Sequence, residues 1–316
     1  MTDPLMEIVQ QQGIVVLDGG LATLLEARGH RLDSQLWSAK MLIDSPEDIR
    51  VAHRTFLEAG ADCITTVTYQ ASYEGFARLG LDQADADDLL ILSVALAQEA
   101  VEEFLASTAS SSPRMHPLVG ASIGPYGAFL ADGSEYNGHY KINRHELEDF
   151  HVRRFTTLAT SCADLLAFET IPSLNEAKVL LELLEKSQET YGWMSFSCRD
   201  GSHLSDGTPI EVAVELCEDA ERLVGIGINC TAPRFMEGLI RRIKSKTDSL
   251  IIVYPNSGES WNAEEKIWQK SETQEEENWV DMAEEWHLAG ARVIGGCCRI
   301  GPDIIRKTRE RLITSV

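Results

Sequence analysis

The sequence predicts an α/β fold: a single (β/α)8 TIM barrel spanning residues 1–316, with its active site at the C-terminal ends of the strands. Three observations predict it. Eight short apolar runs rich in β-branched residues are spread over the whole chain. Helical patterns separate them. No Pro- or Ser-rich linker divides the chain, the tract Ser110-Ser111-Ser112-Pro113 being short enough for a surface loop.

The runs cover 14–17, 62–66, 117–121, 164–168, 193–197, 223–228, 250–254 and 291–295. Near-continuous apolar runs of this length suit strands buried on both faces, as in a parallel sheet. Helices are expected at 45–59, 83–106, 144–162, 175–187, 209–221, 233–245, 276–289 and 302–313. Several end in Ala-Gly or Ala-Asp just before the next strand, as in Ala59-Gly60-Ala61-Asp62, where Gly fits a helix C-cap. A doubly wound sheet also alternates strands and helices. It usually has fewer strands, and the turn after the first run reads Asp18-Gly19-Gly20-Leu21-Ala22-Thr23 rather than GxGxxG. Two connections are long, 123–143 and 255–274. Both leave the C-terminal end of a strand, where barrels build their sites.

Composition narrows the function. With 28 basic against 50 acidic residues, the net charge is −22, which repels phosphate backbones and anionic membranes. Nucleic acid and membrane are therefore not expected partners, and the acidity reads as a solvated surface. The acidic stretch Glu275-Glu276-Glu277 fits a helix start. The first residues show no basic segment followed by an apolar run, and no stretch reaches the roughly 20 apolar residues of a membrane helix. The expected compartment is the cytoplasm.

Seven cysteines, an odd count, argue against a disulfide framework in a reducing compartment. Cys63, Cys162, Cys198 and Cys217 sit in apolar or helical surroundings and read as small core residues. The other three differ. Cys230 ends the sixth strand run, and Cys297 and Cys298 end the eighth. On a barrel those two strand ends share one rim with a single strand between them. Three thiolates converging there suit Zn²⁺ and leave a fourth position open for a substrate thiol. The vicinal pair also admits a structural role, a vicinal disulfide or chance. No HExxH occurs, and His53, His151 and His287 fall on helices, where packing or exposure explains them.

At these residues the chain resembles the homocysteine S-methyltransferase family. The resemblance rests on Asp18-Gly19-Gly20, Asn229-Cys230 and Gly295-Gly296-Cys297-Cys298-Arg299, with Ser122-Ile123-Gly124-Pro125-Tyr126-Gly127 and Phe168-Glu169-Thr170-Ile171-Pro172 in the same order. It implies a barrel that methylates homocysteine to methionine with one Zn²⁺ per chain on Cys230, Cys297 and Cys298. It implies that Glu169 holds the substrate ammonium and that Asp18, Gly19 and Gly20 contact homocysteine, largely through backbone. Glu169 also reads as a loop-capping carboxylate, and Gly19-Gly20 as a tight turn. Thr23 and Asn229 are further candidates, equally placed as turn hydrogen-bonders.

Chain length and Tyr254-Pro255-Asn256-Ser257-Gly258-Glu259 look like the branch that uses S-methylmethionine, with S-adenosylmethionine a second donor of the same methyl sulfonium class. Betaine-using members are longer, with a C-terminal extension that helps them oligomerise, so the expectation here is a monomer. Tyr126, Tyr136 and Trp261 could face a sulfonium by cation–π contact or pack within their loops. Rival readings are a betaine or selenocysteine methyltransferase, a non-catalytic zinc- or thiol-sensing barrel, and a barrel hydrolase or lyase with structural cysteines.

Overall fold

The computed structural model of the protein describes residues 3–32, 36–108, 114–187, 189–258 and 278–313, and the backbone of 260–262 and 267–269. Each of the eight apolar runs forms a strand: β1 (Val15–Val16), β2 (Cys63–Thr65), β3 (Leu118–Ile123), β4 (Leu165–Ile171), β5 (Gly192–Phe196), β6 (Leu223–Asn229), β7 (Leu250–Tyr254) and β10 (Val293–Ile294). They form one parallel sheet in the order β1-β10-β7-β6-β5-β4-β3-β2. A parallel bridge between Leu17 and Cys63 joins its two edges, with Asp62 donating its N–H to Val16 O and Asp18 its own to Cys63 O. The sheet is thereby closed into a barrel. Strands β8 (Ser260–Asn262) and β9 (Ile267–Gln269) form a separate antiparallel hairpin within the long connection after β7.

Alternating residues point inward, as the pleat requires. Val15, Leu17, Leu165, Ala167, Trp193, Ile252 and Val293 fill the barrel in one apolar cluster. A larger cluster lies between the strands and the outer helices. A helix follows every barrel strand: Pro46–Ala59, Gln83–Thr108, Arg144–Ala159, Leu174–Lys186, Ile210–Cys217, Met236–Lys244, Trp279–Ala289 and Pro302–Ile313. Among the described residues no helix is long and apolar enough to cross a membrane.

The helix expected over 144–162 stops at Ala159, where Thr160 donates its N–H back to Thr156 and Leu158 carbonyls. Cys162 therefore lies in the following turn and is exposed, not a core residue. Cys198 is half-buried, while Cys63 and Cys217 are buried as expected. His53 and His151 are buried packing residues on their helices, and His287 is half-buried. The stretch Glu275-Glu276-Glu277 and the tract 110–113 lie outside the described residues.

An additional helix, Pro4–Gln12, was not expected from the sequence. Asp3 caps it by accepting the N–H groups of Leu5 and Met6, Pro4 starts it, and Gly13 ends it with φ +83°. Nine residues cannot sustain an isolated helix. This one is held because Leu5 and Ile8 enter the inner cluster at the end where the strands begin. At the same end Asp62 accepts hydrogen bonds from Val16 N–H (3.0 Å), Gln12 Nε2 (2.7 Å), Arg309 Nη1 (2.7 Å) and Arg114 Nη2 (3.2 Å).

Candidate active site at the barrel mouth

The opposite end, where the strands finish, holds a cavity of about 340 Å³, a size that suits small-molecule ligands. Its floor contains the three cysteines set apart above. Cys230 directly follows β6, and Cys297 and Cys298 lie three and four residues beyond β10. Their sulfurs meet across the end of β7: Cys230–Cys297 2.7 Å, Cys230–Cys298 3.5 Å and Cys297–Cys298 3.9 Å. Among the described residues this is the one group of three or more potential ligands gathered tightly enough to hold a metal.

The backbone is bent to achieve this. Cys230 has φ +47° and Arg299 φ +71°, left-handed values that side chains other than glycine rarely adopt. Surrounding bonds hold the bend. Cys230 N–H donates to Tyr254 O (3.2 Å), Cys297 N–H to Pro255 O (2.8 Å) and Ser257 N–H to Cys298 O (3.2 Å). Asn256 Nδ2 donates to Cys230 O (3.3 Å), and Arg299 N–H to Thr23 Oγ1 (2.9 Å). Glycine is required beside it: a Cβ on Gly19 would stand 2.4 Å from Ile300 O, and one on Gly20 2.8 Å from Cys297 O.

The donor chemistry fits a soft cation. Zinc–sulfur bonds of about 2.3 Å at tetrahedral angles set sulfurs roughly 3.7 Å apart. Two of the separations are near that value, and the third opens by about 1 Å to accept an ion of this type. Hydrogen bonds from the neighbouring thiols hold Cys230 well below the usual thiol range. The thiolate that results pushes Cys297 and Cys298 upward, so three thiolates coexist only around a positive charge. Tyr136 adds a phenolic O–H directed at Cys230 Sγ, 3.6 Å away.

Four carboxylates line the cavity, Asp18, Glu26, Glu135 and Glu169; Asp18 and Glu169 are the buried pair. Asp18 follows β1 and is buried; Thr65 N–H donates to its Oδ2 at 2.8 Å, yet burial raises its pKa well above the carboxylate range, and the charge of Glu169 adds to the rise. Glu169 lies in a β-bulge of β4, where the register against β5 slips between Phe168 and Ile171. Ser122 Oγ donates to it, and burial followed by the charge of Cys230 raises its pKa to about 7. A cationic group between Asp18 and Glu169 relieves both.

The remaining sequence candidates are placed as follows. Gly20 donates its N–H to Ile300 O, so this turn offers the cavity chiefly the Asp18 carboxylate. Thr23 supports the Arg299 backbone. Asn229 is fully buried and braces Thr170, accepting its N–H and donating to its Oγ1, both at 2.7 Å, across the left-handed Thr170 backbone (φ +61°). Tyr126 packs in its loop against Phe129, Tyr140 and Phe150 and does not line the cavity, whereas Tyr136 does. The Trp261 side chain lies outside the described residues.

Sequence reasoning missed several wall residues. Trp37 comes from the connection after β1, Tyr69 and Gln70 from the one after β2, and Glu135 from the one after β3. The connection after β1 runs from Asp18 to Ser45 and is a third long one; its short helices Leu21–Ala27 and Met41–Asp44 disguise it as ordinary helical sequence. Trp37 and Tyr69 meet edge to face with centroids 6.3 Å apart. The position of Tyr69 four residues beyond β2 was the one available signal, and Trp37, deep in its connection, had none.

Comparison with known proteins identifies the relatives of this architecture. The family model described as homocysteine S-methyltransferase matches residues 15–312. The homocysteine S-methyltransferase YbgG of Bacillus subtilis (strain 168) is 45% identical over 305 residues, covering 96% of each chain. A selenocysteine Se-methyltransferase of Brassica oleracea var. italica is 43% identical, over 96% of this chain and 90% of the relative. The solved structure of the homocysteine methyltransferase MmuM from Escherichia coli, metallated form, superposes with a TM-score of 0.88 at 41% identity, over 98% of this chain and all of that one.

Proposed function

The chain belongs to the homocysteine S-methyltransferase family, and on that premise we propose that it transfers a methyl group from S-methylmethionine to the sulfur of homocysteine, with zinc on Cys230, Cys297 and Cys298. One observation carries this reading: three thiols from two strand ends converge on one point in the lining of a cavity sized for small molecules. The whole chain acts as one barrel domain, with cytoplasm as its compartment and a monomer as its working unit. S-adenosylmethionine, also a methyl sulfonium compound, is a second donor.

When bound, zinc supplies a Lewis acid that keeps a substrate thiol deprotonated near neutral pH. The chain's own residues provide the rest. Asp18 and Glu169 grip the homocysteine ammonium and so aim its sulfur at the thiol cluster. Gly19 and Gly20 allow the substrate to lie close against backbone. Asn229 and Thr23 hold the two strand ends that carry the cysteines. Trp37, Tyr69 and Tyr136 wall the cavity with rings that narrow the approach of water. No residue needs to move a proton during transfer: a thiolate attacks a methyl carbon in line, and a neutral thioether leaves.

Selenocysteine as acceptor is a second reading, favoured by the 43% identity to a protein of that name. The test measures metal content and methionine formation together in reduced protein given homocysteine and S-methylmethionine. The expected result is about one zinc per chain, as a three-thiolate site requires, with turnover lost on chelation. Cys298→Ser should lose both metal and at least about 10³-fold in rate, since a metal site tolerates loss of a ligand poorly. Full zinc and rate in that variant would overturn the assignment. An acceptor panel with selenocysteine separates the two readings.

A further inference from the structure

Glu135 stands in the cavity wall without an assigned task. It belongs to a single 3-10 turn, Ser134–Tyr136, and its neighbour Tyr136 reaches Cys230. Its Oε2 is buried and meets no hydrogen-bond donor among the described residues. Burial and the charges of Cys230 and Asp132 raise its pKa to about 7. A buried carboxylate oxygen left unpaired is unfavourable, and such groups persist where a ligand completes them.

The segment carrying it is rigidly pinned. Ser197 Oγ donates to Glu135 O (2.9 Å), and Gln70 Nε2 to Ala128 O (2.7 Å). Arg154 donates to Gly124 O (2.5 Å), and Tyr126 N–H to Glu176 (2.6 Å), which also meets His151 at 2.8 Å. At Gly127 any Cβ would stand 2.4 Å from Glu135 N. These bonds fix the backbone from which the Glu135 side chain springs.

We propose that Glu135 binds the α-ammonium of the methyl donor, making the enzyme selective for sulfonium donors that are themselves amino acids. This rests on the methyl transfer proposed above, which brings two amino acids into one cavity. Asp18 and Glu169, each affected by the other's charge or by that of Cys230, form the acceptor's anionic pair. Of the two carboxylates left in the lining Glu26 is exposed, whereas Glu135, carried by a different loop, keeps an unpaired buried oxygen, and the donor brings the second ammonium. The sulfonium itself is the wrong partner. Its charge disappears as the methyl leaves, so a carboxylate against it would stabilise the starting state more than the transition state. The ammonium keeps its charge throughout, so its contact strengthens donor binding without opposing the chemistry.

The test compares S-methylmethionine with 4-(dimethylsulfonio)butanoate, the same donor lacking the amino group, in the wild type and in Glu135→Gln. The wild type should prefer S-methylmethionine by about 10- to 100-fold in kcat/KM, the range for a charged hydrogen bond. In Glu135→Gln that preference should fall to within about threefold of unity, through donor KM, with the homocysteine KM unchanged. Calorimetric titration of both donors into chelated protein reads the same preference without turnover. A wild-type ratio near one overturns the proposal and needs no variant to fold. So does a preference that survives in Glu135→Gln, or a rise in homocysteine KM alone. Absence of turnover with any donor, with calorimetric discrimination intact, overturns the methyl-transfer reading and leaves the ammonium assignment standing.

Discussion

The two ends of the barrel handle buried charge in opposite ways. Where the strands begin, Asp62 is 2% exposed and gathers four donors, two of them the guanidinium groups of Arg114 and Arg309. Where the strands finish, Asp18 and Glu169 are also buried, at 3% and 8% exposure, with no cationic partner among the described residues, and Glu135 keeps an oxygen unbonded among them. The left-handed backbones of Thr170, Cys230 and Arg299 also cluster at this second end. One end is completed by its own sequence and serves stability. The other is incomplete until substrates arrive, and its strain and unmatched charge are maintained by the rest of the fold.

Substitutions at each end sharpen this contrast. Asp62→Asn should give the largest effect, a loss of roughly 3–5 kcal/mol in equilibrium denaturation, because it leaves two guanidinium groups short of their counter-charge. Activity per folded molecule should stay unchanged. A variant as stable as the parent would mean the clamp is not what holds that end.

Glu169→Gln should do the reverse. Homocysteine KM rises about 10- to 100-fold through loss of a charged hydrogen bond, while the ligand-free protein becomes more stable at pH 8. The folded chain binds the Glu169 proton more tightly than the unfolded chain does, with a pKa of about 7 against 4.5. Folded protein therefore holds extra protons between those values, and stability falls as pH rises through the window. Removing the charge removes that fall, which thermal melts at pH 5 and pH 8 would read. In the parent, kcat/KM for homocysteine should drop below about pH 7 as Glu169 protonates. A flat profile, or a less stable Gln variant at pH 8, would break the comparison.

Thr23→Val carries the smallest expectation. It removes the hydroxyl that accepts the Arg299 N–H, worth about 1 kcal/mol. The melting temperature should fall by a few degrees with both KM values within about threefold. A tenfold rise in homocysteine KM would instead make Thr23 a substrate contact.

The barrel was legible because each strand is a continuous apolar run and several outer helices carry their own stop signal, as at Ala59-Gly60. The thiol cluster was legible because residues at strand ends on one rim must converge. The N-terminal helix was missed although Asp3-Pro4 and Gly13 mark its ends; its stability comes from Leu5 and Ile8 entering a core formed by residues far along the chain. Glu135 and Trp37 were missed because loops reveal no orientation through periodicity. Thr170 had no signal at all: a β-branched residue in left-handed backbone is dictated by the Asn229 side chain 59 residues away. Cys162 was misplaced by three residues of helix that the chain does not form.

The ordering of the cysteines along the chain sets a timetable. One lies beyond β6, and the other two beyond β10, the strand that must pair with β1 for the barrel to close. Of the three cluster cysteines, a nascent polypeptide emerging from the ribosome presents Cys230 first, then β7 and the whole of the helix Trp279–Ala289 before its two companions appear. A half-built site offering one thiol is a poor trap for stray copper or cadmium. The cluster able to hold a metal thus exists only after β10 has joined the sheet.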